Sequence, residues 1–204
     1  MPKRAPAGPW SLTPRKPRPR ASWVSKSPPI YTIGHSTKSI PEFVELLRVG
    51  QVGLVVDIRS VPRSRRNPAY NLDVLPAELA AYQIEHTQIA ELGGLRKKSK
   101  VIPPEVNGFW VNQSFHNYAD YALSDEFRSG LKELVALAAK RRVAIMCAEA
   151  VWWRCHRRIV ADYLLQAGSA VLHLMGATRA VPATMNEAAQ VGRGGLVYPA
   201  AGPG

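Results

Sequence analysis

Apolar residues in this chain fall into short continuous runs, spaced by segments whose apolar positions recur every three or four residues. The runs predict strands at Tyr31–Ile33, Gly53–Ile58, Glu85–Ile89, Val143–Met146 and Ala170–Met175. Helices are expected between them. Ser39-Ile40-Pro41-Glu42 reads as a capping box with proline in the first turn, Phe43, Leu46 and Leu47 face inward, and Gly50 stops the helix. A second helix is expected near Leu75–Tyr82. A third is capped by Ser124 and carries the stripe Phe127, Leu131, Leu134, Val135, Ala138; a fourth opens near Cys155 and closes at Gly168. Residues 95–123 fit no regular period and read as a long insertion.

Strands alternating with helices imply parallel pairing, because parallel strands need crossover connections and those cover both sheet faces. The expected architecture is therefore a three-layer, Rossmann-like α/β fold with a mostly parallel five-stranded sheet in the order 3-2-1-4-5. The expected domain spans 30–175.

Charge changes the picture at one end. The formal net charge is +12, and Lys3, Arg4, Arg15, Lys16, Arg18, Arg20 and Lys26 fall within residues 1–29 with no acid. Rich in proline and poor in apolar residues, this segment cannot offset its ordering entropy by burial. It reads as a disordered basic arm, either a solubilising leader or an anion-binding extension. It lacks the apolar stretch of a signal peptide, and its prolines oppose an amphipathic transit helix. Residues 176–204 read as a flexible Gly/Ala/Pro-rich tail. No run reaches membrane-spanning length, so no membrane partner is expected. Two cysteines make no secreted-type framework, which points to a reduced, cytoplasmic protein.

Candidate chemistry collects where strands end. Gly34-His35-Ser36, Asp57 with Arg59, Glu91-Gly93-Gly94, and Cys147 with Glu149 each follow an expected strand, so parallel strands would gather them on one rim. Asp57 and Glu149 are the acid/base candidates, since a carboxylate among apolar groups can have its pKa raised toward neutrality. Asp57 could equally be salt-bridged to Arg59 or Arg63. Cys155-His156-Arg157 at a helix start could bind an anion or activate Cys155, whose alternative is packing as a small apolar residue. A metal site from Cys147, Cys155, His156 and His35 is the lesser reading: the eight-residue separation of the cysteines is not a zinc-ribbon or finger spacing, so no metal or other cofactor is expected. His86 and His173 read as structural, and His116 as either.

Three basic elements suggest a polyanionic partner: the arm, the loop with Arg63, Arg65, Arg66 and Asn67, and the insertion. The insertion mixes Arg96, Lys97, Lys98 and Lys100 with Trp110, Phe115, Tyr118 and Tyr121, and Trp153 lies in the loop after Cys147. Cations with aromatic rings suit phosphates and bases, so a nucleic acid (DNA favoured) or a nucleotide is expected.

The segments TIGHS (32–36), VDIRSVPRSRRNPAYN (56–71), ELGG (91–94), SFHNYADY (114–121) and MCAEAVWWRCHRRIVADYLL (146–165) together resemble domain of unknown function family 488. The resemblance covers about residues 30–175 and implies a compact α/β domain with a shared pocket. Gly34, His35, Ser36, Asp57, Arg59, Pro62, Arg63, Asn67, Glu91, Gly93, Gly94, Cys147, Glu149, Cys155, His156 and Arg157 match its motifs. Trp152 stands where the pattern has proline. The family name carries no activity.

The expected function is a base-processing, DNA-repair hydrolase of glycosidase type. In it, Asp57 or Glu149 activates water or stabilises an oxocarbenium-like centre, and His35 orients the base or leaving group. The alternatives are a cysteine-dependent transferase or redox enzyme, and a non-catalytic nucleic-acid-binding module.

Overall fold

A computed structural model describes residues 28–176 and 178–200. The basic arm lies outside it, apart from Pro28 and Pro29. The elements are β1 (Ile30–Gly34), α1 (Ile40–Val49), β2 (Leu54–Asp57), α2 (Leu75–Ala80), β3 (Glu85–Gln88), α3 (Gln113–Tyr121), α4 (Asp125–Ala138), β4 (Val143–Cys147), α5 (Arg157–Gln166), β5 (Val171–Met175), β6 (Arg179–Pro182), β7 (Gln190–Gly192) and β8 (Gly195–Val197). Among these elements no helix is long and apolar enough to cross a membrane.

The first helix starts where the sequence expects. Ser39 Oγ accepts from the Glu42 N–H, and Glu42 Oε2 accepts from the Ser39 N–H at 2.7 Å, which completes the capping box. Ser124 caps α4 in the same manner, accepting from the Phe127 N–H.

The sheet has the order β3-β2-β4-β1-β5-β6, with all neighbours parallel except β5 and β6. The expected order 3-2-1-4-5 is corrected in its centre, where β4 separates β2 from β1, and the sheet gains an antiparallel edge strand. Pleating divides the core. Tyr31, Ile33, Val55, Ala144 and Met146 pack with Phe43, Leu47, Leu75 and Leu79 of α1 and α2. Leu54, Val56, Val143 and Ile145 point the other way, to Tyr118, Phe127, Leu134 and Ile159 of α3, α4 and α5. The three-layer α/β expectation holds.

Two further segments differ from expectation. The insertion contains α3, whose cap is Asn112: its side chain accepts from the Ser114 and Phe115 N–H groups. Residues 179–198 are not a free tail. They supply β6, then the hairpin β7–β8, and cross α5 with Leu196 and Tyr198 fully buried. Tyr198 is tied by its N–H to Asn107 Oδ1 and by its hydroxyl to Asp162 Oδ2, both at 3.0 Å. These hydrogen bonds pin a segment too rich in glycine and proline to show a strand pattern.

One topological point positions the site. The chain leaves β1 toward the α1 face and leaves the adjacent β4 toward the α5 face. The C-terminal ends of β1 and β4 therefore flank a gap from which the covering helices diverge, the place where open α/β sheets bind ligands.

Candidate active site

At the end of β2, Asp57 and Arg59 form a buried ion pair. Arg59 Nε donates to both carboxylate oxygens, at 2.9 and 3.0 Å, and Nη2 donates to Oδ2 at 2.6 Å and to the Tyr70 carbonyl at 2.7 Å. Asp57 is fully buried. Burial alone would raise its pKa, but hydrogen bonds and the Arg59 charge outweigh that and hold it below the ordinary carboxylate range. His86 Nε2, 3.8 Å away, is too far for a hydrogen bond, so Arg59 is the effective partner. A carboxylate this engaged is a poor general base, and of the two readings the sequence leaves open for Asp57 the geometry is that of the ion pair with Arg59.

His35 completes that network. Its Nδ1 lies 3.0 Å from the Ser36 carbonyl, and its Nε2 lies 3.2 Å from Arg59 Nη1. The carbonyl can only accept and the guanidinium can only donate, so His35 is the neutral Nδ1–H tautomer. Burial and the Arg59 charge lower its pKa to about 4. Its ring stacks on Tyr70 at 4.2 Å between centroids. His35 braces the floor of the rim and has no face on the cavity.

A cluster of two thiols and an imidazole lies at the β4–α5 gap. Cys147 ends β4, and Cys155 and His156 precede α5. The ligating atoms of Cys147, Cys155 and His156 lie within 4.8 Å of one another. His156 Nε2 donates to the Ile58 carbonyl at 3.1 Å, which leaves Nδ1 with a lone pair 3.6 Å from Cys155 Sγ and 3.8 Å from Cys147 Sγ. Arg157, 1% exposed, donates through Nε to Cys155 Sγ at 3.2 Å, and its backbone N–H, the first of α5, points at the same sulfur at 3.5 Å.

The two thiols are thereby driven apart. Burial opposes a thiolate at Cys155, but the Cys147 thiol, His156 and Arg157 overcome it and place Cys155 well below the ordinary thiol range. Cys147, buried beside Cys155, is pushed well above it. Two thiolates and an imidazole are also a set that Zn²⁺ accepts. Arg157 already supplies the positive charge against Cys155, which favours a free thiolate over a second cation there.

Both cysteines line a cavity of about 440 Å³. Arg59, Ser60 and Gly94 form one wall, Asn112, Ser114 and Phe115 from the start of α3 another, and Glu149, Arg154 and His156 the third. Glu149 and Arg154 are exposed at the mouth. The glycines matter through space. A Cβ at Gly34 would overlap the Glu149 carbonyl oxygen, one at Gly94 the His156 ring, and one at Gly93 Ser60 Oγ.

The expected rim is therefore partly assembled. Arg59, Gly94, Cys147, Glu149, Cys155 and His156 line one cavity, with Gly34, Gly93 and Arg157 directly behind it. Ser36 donates its N–H to the Ala148 carbonyl and supports the loop. Glu91 stands apart: its side chain is exposed and its carbonyl accepts from Tyr121 Oη. Tyr118 is fully buried and donates to the Leu92 carbonyl, so it offers no ring for stacking. Arg63 and Arg66 are exposed on the neighbouring loop, where Asn67 donates to the Lys38 carbonyl. Trp153 is 44% exposed beside Trp152, outside the cavity.

Sequence reasoning missed Tyr70, Ser60, Asn112, Ser114 and Arg154. Asn112 carried a readable signal, since Asn two residues before Ser114 is a helix cap. The others depend on loop paths.

Comparison with curated proteins gave no match, and comparison with solved structures gave none either. A family model, the domain of unknown function DUF488, matches residues 39–164, which include α1, the Arg59 loop, the insertion, β4 and most of α5. With more than half its length matched, cavity included, the chain belongs to the DUF488 family.

Proposed function

We propose that the cavity is the active site of a cysteine-dependent enzyme, with Cys155 as nucleophile. One observation carries this reading: the Cys155 sulfur faces the Arg157 guanidinium, the first N–H of α5 and the His156 Nδ1 at the base of an open cavity. The guanidinium and the helix N–H favour the thiolate, the attacking form of cysteine, and the Nδ1 lone pair accepts the thiol proton. Cys155 attacks an electrophilic centre of the substrate, and His156 Nδ1 carries the proton between thiol and leaving group. Arg154 at the mouth and Phe115 on the wall suit a substrate with an anionic group and a flat apolar part. A free thiolate fits a reducing compartment such as the cytoplasm.

The test is iodoacetamide labelling across pH, with peptides identified by mass spectrometry. Fast labelling of Cys155 that persists below the ordinary thiol range supports the reading. Two slow thiols, or a rate unchanged in Cys155→Ser, would remove it.

A second reading, hydrolysis at a nucleic-acid base, is favoured by Glu149, Arg154 and Phe115 sharing the same cavity. With Asp57 locked by Arg59, Glu149 alone would activate water in it. Incubation with oligonucleotides carrying modified bases decides it. Base release lost in Glu149→Gln supports it, and no release from any substrate ends it.

A further inference from the structure

We propose that Cys147 is the resolving thiol for Cys155, so that the cavity reduces disulfides by thiol–disulfide exchange. This deepens the thiolate reading above and rests on it. The two sulfurs lie within 4.8 Å of each other and both line the cavity. They are the only cysteines of the chain. A disulfide bond is about 2.05 Å long, so joining them needs an approach of under about 3 Å.

Their surroundings divide the labour. The Arg157 side chain donates to Cys155, and no cation donates to Cys147 among the described residues. Cys155 is thus the attacking thiolate, and Cys147 keeps its proton for the second step. His156 Nδ1 lies 3.6 Å from one sulfur and 3.8 Å from the other, so a single base serves both. Exchange of this kind proceeds by thiolate attack on a sulfur through a mixed disulfide.

The steps balance. The Cys155 thiolate attacks one sulfur of a substrate R–S–S–R, forming a Cys155–S–S–R bond and releasing R–S⁻, which takes the Cys155 proton from His156 and leaves its Nδ1 free. Cys147 gives its proton to His156 Nδ1, and its sulfur attacks Cys155 Sγ. The bond between Cys155 and the substrate sulfur breaks, and the second R–S⁻ leaves, taking the proton from His156. Two electrons pass from the two protein thiols to the substrate, which becomes two thiols while Cys147 and Cys155 become a disulfide. The exposed Arg154 and the Phe115 ring fit a disulfide bearing a carboxylate and an aromatic or apolar body.

The probe is 5,5′-dithiobis(2-nitrobenzoate), an aromatic carboxylate disulfide, used in excess on the reduced, folded full chain. The expected result is release of two thionitrobenzoate anions per chain, no retained label, and a Cys147–Cys155 disulfide found by peptide mass spectrometry. Dithiothreitol should reverse it. Cys147→Ser should release one anion and keep the label on Cys155. A wild-type chain that keeps a label on Cys155 beside a free Cys147, or on both cysteines, overturns the resolving role and leaves the thiolate reading standing. Equal rates for the wild type and Cys155→Ser would overturn both.

Discussion

Arg157 grips Cys155 twice, by side chain and by main chain, with its Nε 3.2 Å and its backbone N 3.5 Å from the sulfur. The same guanidinium donates through Nη2 to the Glu149 carbonyl at 2.6 Å. The charge that favours the thiolate therefore also fastens the loop that forms the cavity wall.

Replacing Arg157 by Lys tests that double role. A lysine ammonium cannot fork to both a sulfur and a carbonyl. Cys155 should then label more slowly at neutral pH, with a loss of about tenfold in thiolate for each unit its pKa rises above the working pH. Losing the charged hydrogen bond to the Glu149 carbonyl should also cost about 1.5–3 kcal/mol of stability. Iodoacetamide kinetics and urea unfolding measure the two effects separately.

Asp57→Asn should leave Arg59 buried without its counter-charge and destabilise the protein by about 3–5 kcal/mol. The wild type predicts the sign of the pH dependence. Asp57 titrates below its ordinary value in the fold, so its contribution is present above the unfolded carboxylate pKa and fades as pH falls through the folded one. Urea unfolding of the wild type between pH 6 and pH 3 should show this loss, and the variant should lack it.

Asp162 has the opposite sign. Burial raises its pKa from 3.8 to about 6, against hydrogen bonds from the Asn186 N–H and the Tyr198 hydroxyl. A raised carboxylate stabilises the fold fully below the unfolded pKa, and that contribution disappears as pH rises through about 6. The span is worth up to about 3 kcal/mol. Asp162→Asn should abolish the Asp162 part of the slope between pH 4 and 6 in unfolding experiments.

Gly34→Ala and Gly94→Ala should each damage the site with no change to any polar side chain. The new methyl at 34 displaces the Glu149 carbonyl, and the one at 94 displaces the His156 ring. We expect a loss of at least about 1–3 kcal/mol from overpacking and slower labelling of Cys155. Alkylation rates in the folded variants check it.

The sheet was legible where it is buried on both faces, because runs such as Leu54–Asp57 and Val143–Cys147 carry apolar side chains to both layers. The nearness of Cys147, Glu149, Cys155 and His156 followed from one strand end and the helix start after it, and parallel pairing brought Arg59 and Gly94 to them. Roles were harder. Nothing in the string shows that Arg59 folds back on Asp57 and not on a ligand, or that His35 is wedged between Arg59 and Tyr70. Helix α3 escaped notice because Gln113–Tyr121 buries only Tyr118, Ala119 and Asp120, too few to set a period. The C-terminal hairpin escaped because Leu196 and Tyr198 are anchored from outside, through Tyr163, Asn107 and Asp162.

The central place of β1 carries a cost during synthesis. Ile30–Gly34 leaves the ribosome first among the described strands, yet its partners are Val143–Cys147 and Val171–Met175. An apolar ribbon with both edges open must wait for more than a hundred further residues before either side is covered. Nascent chains stalled before β4 should thus be the species most in need of chaperone protection.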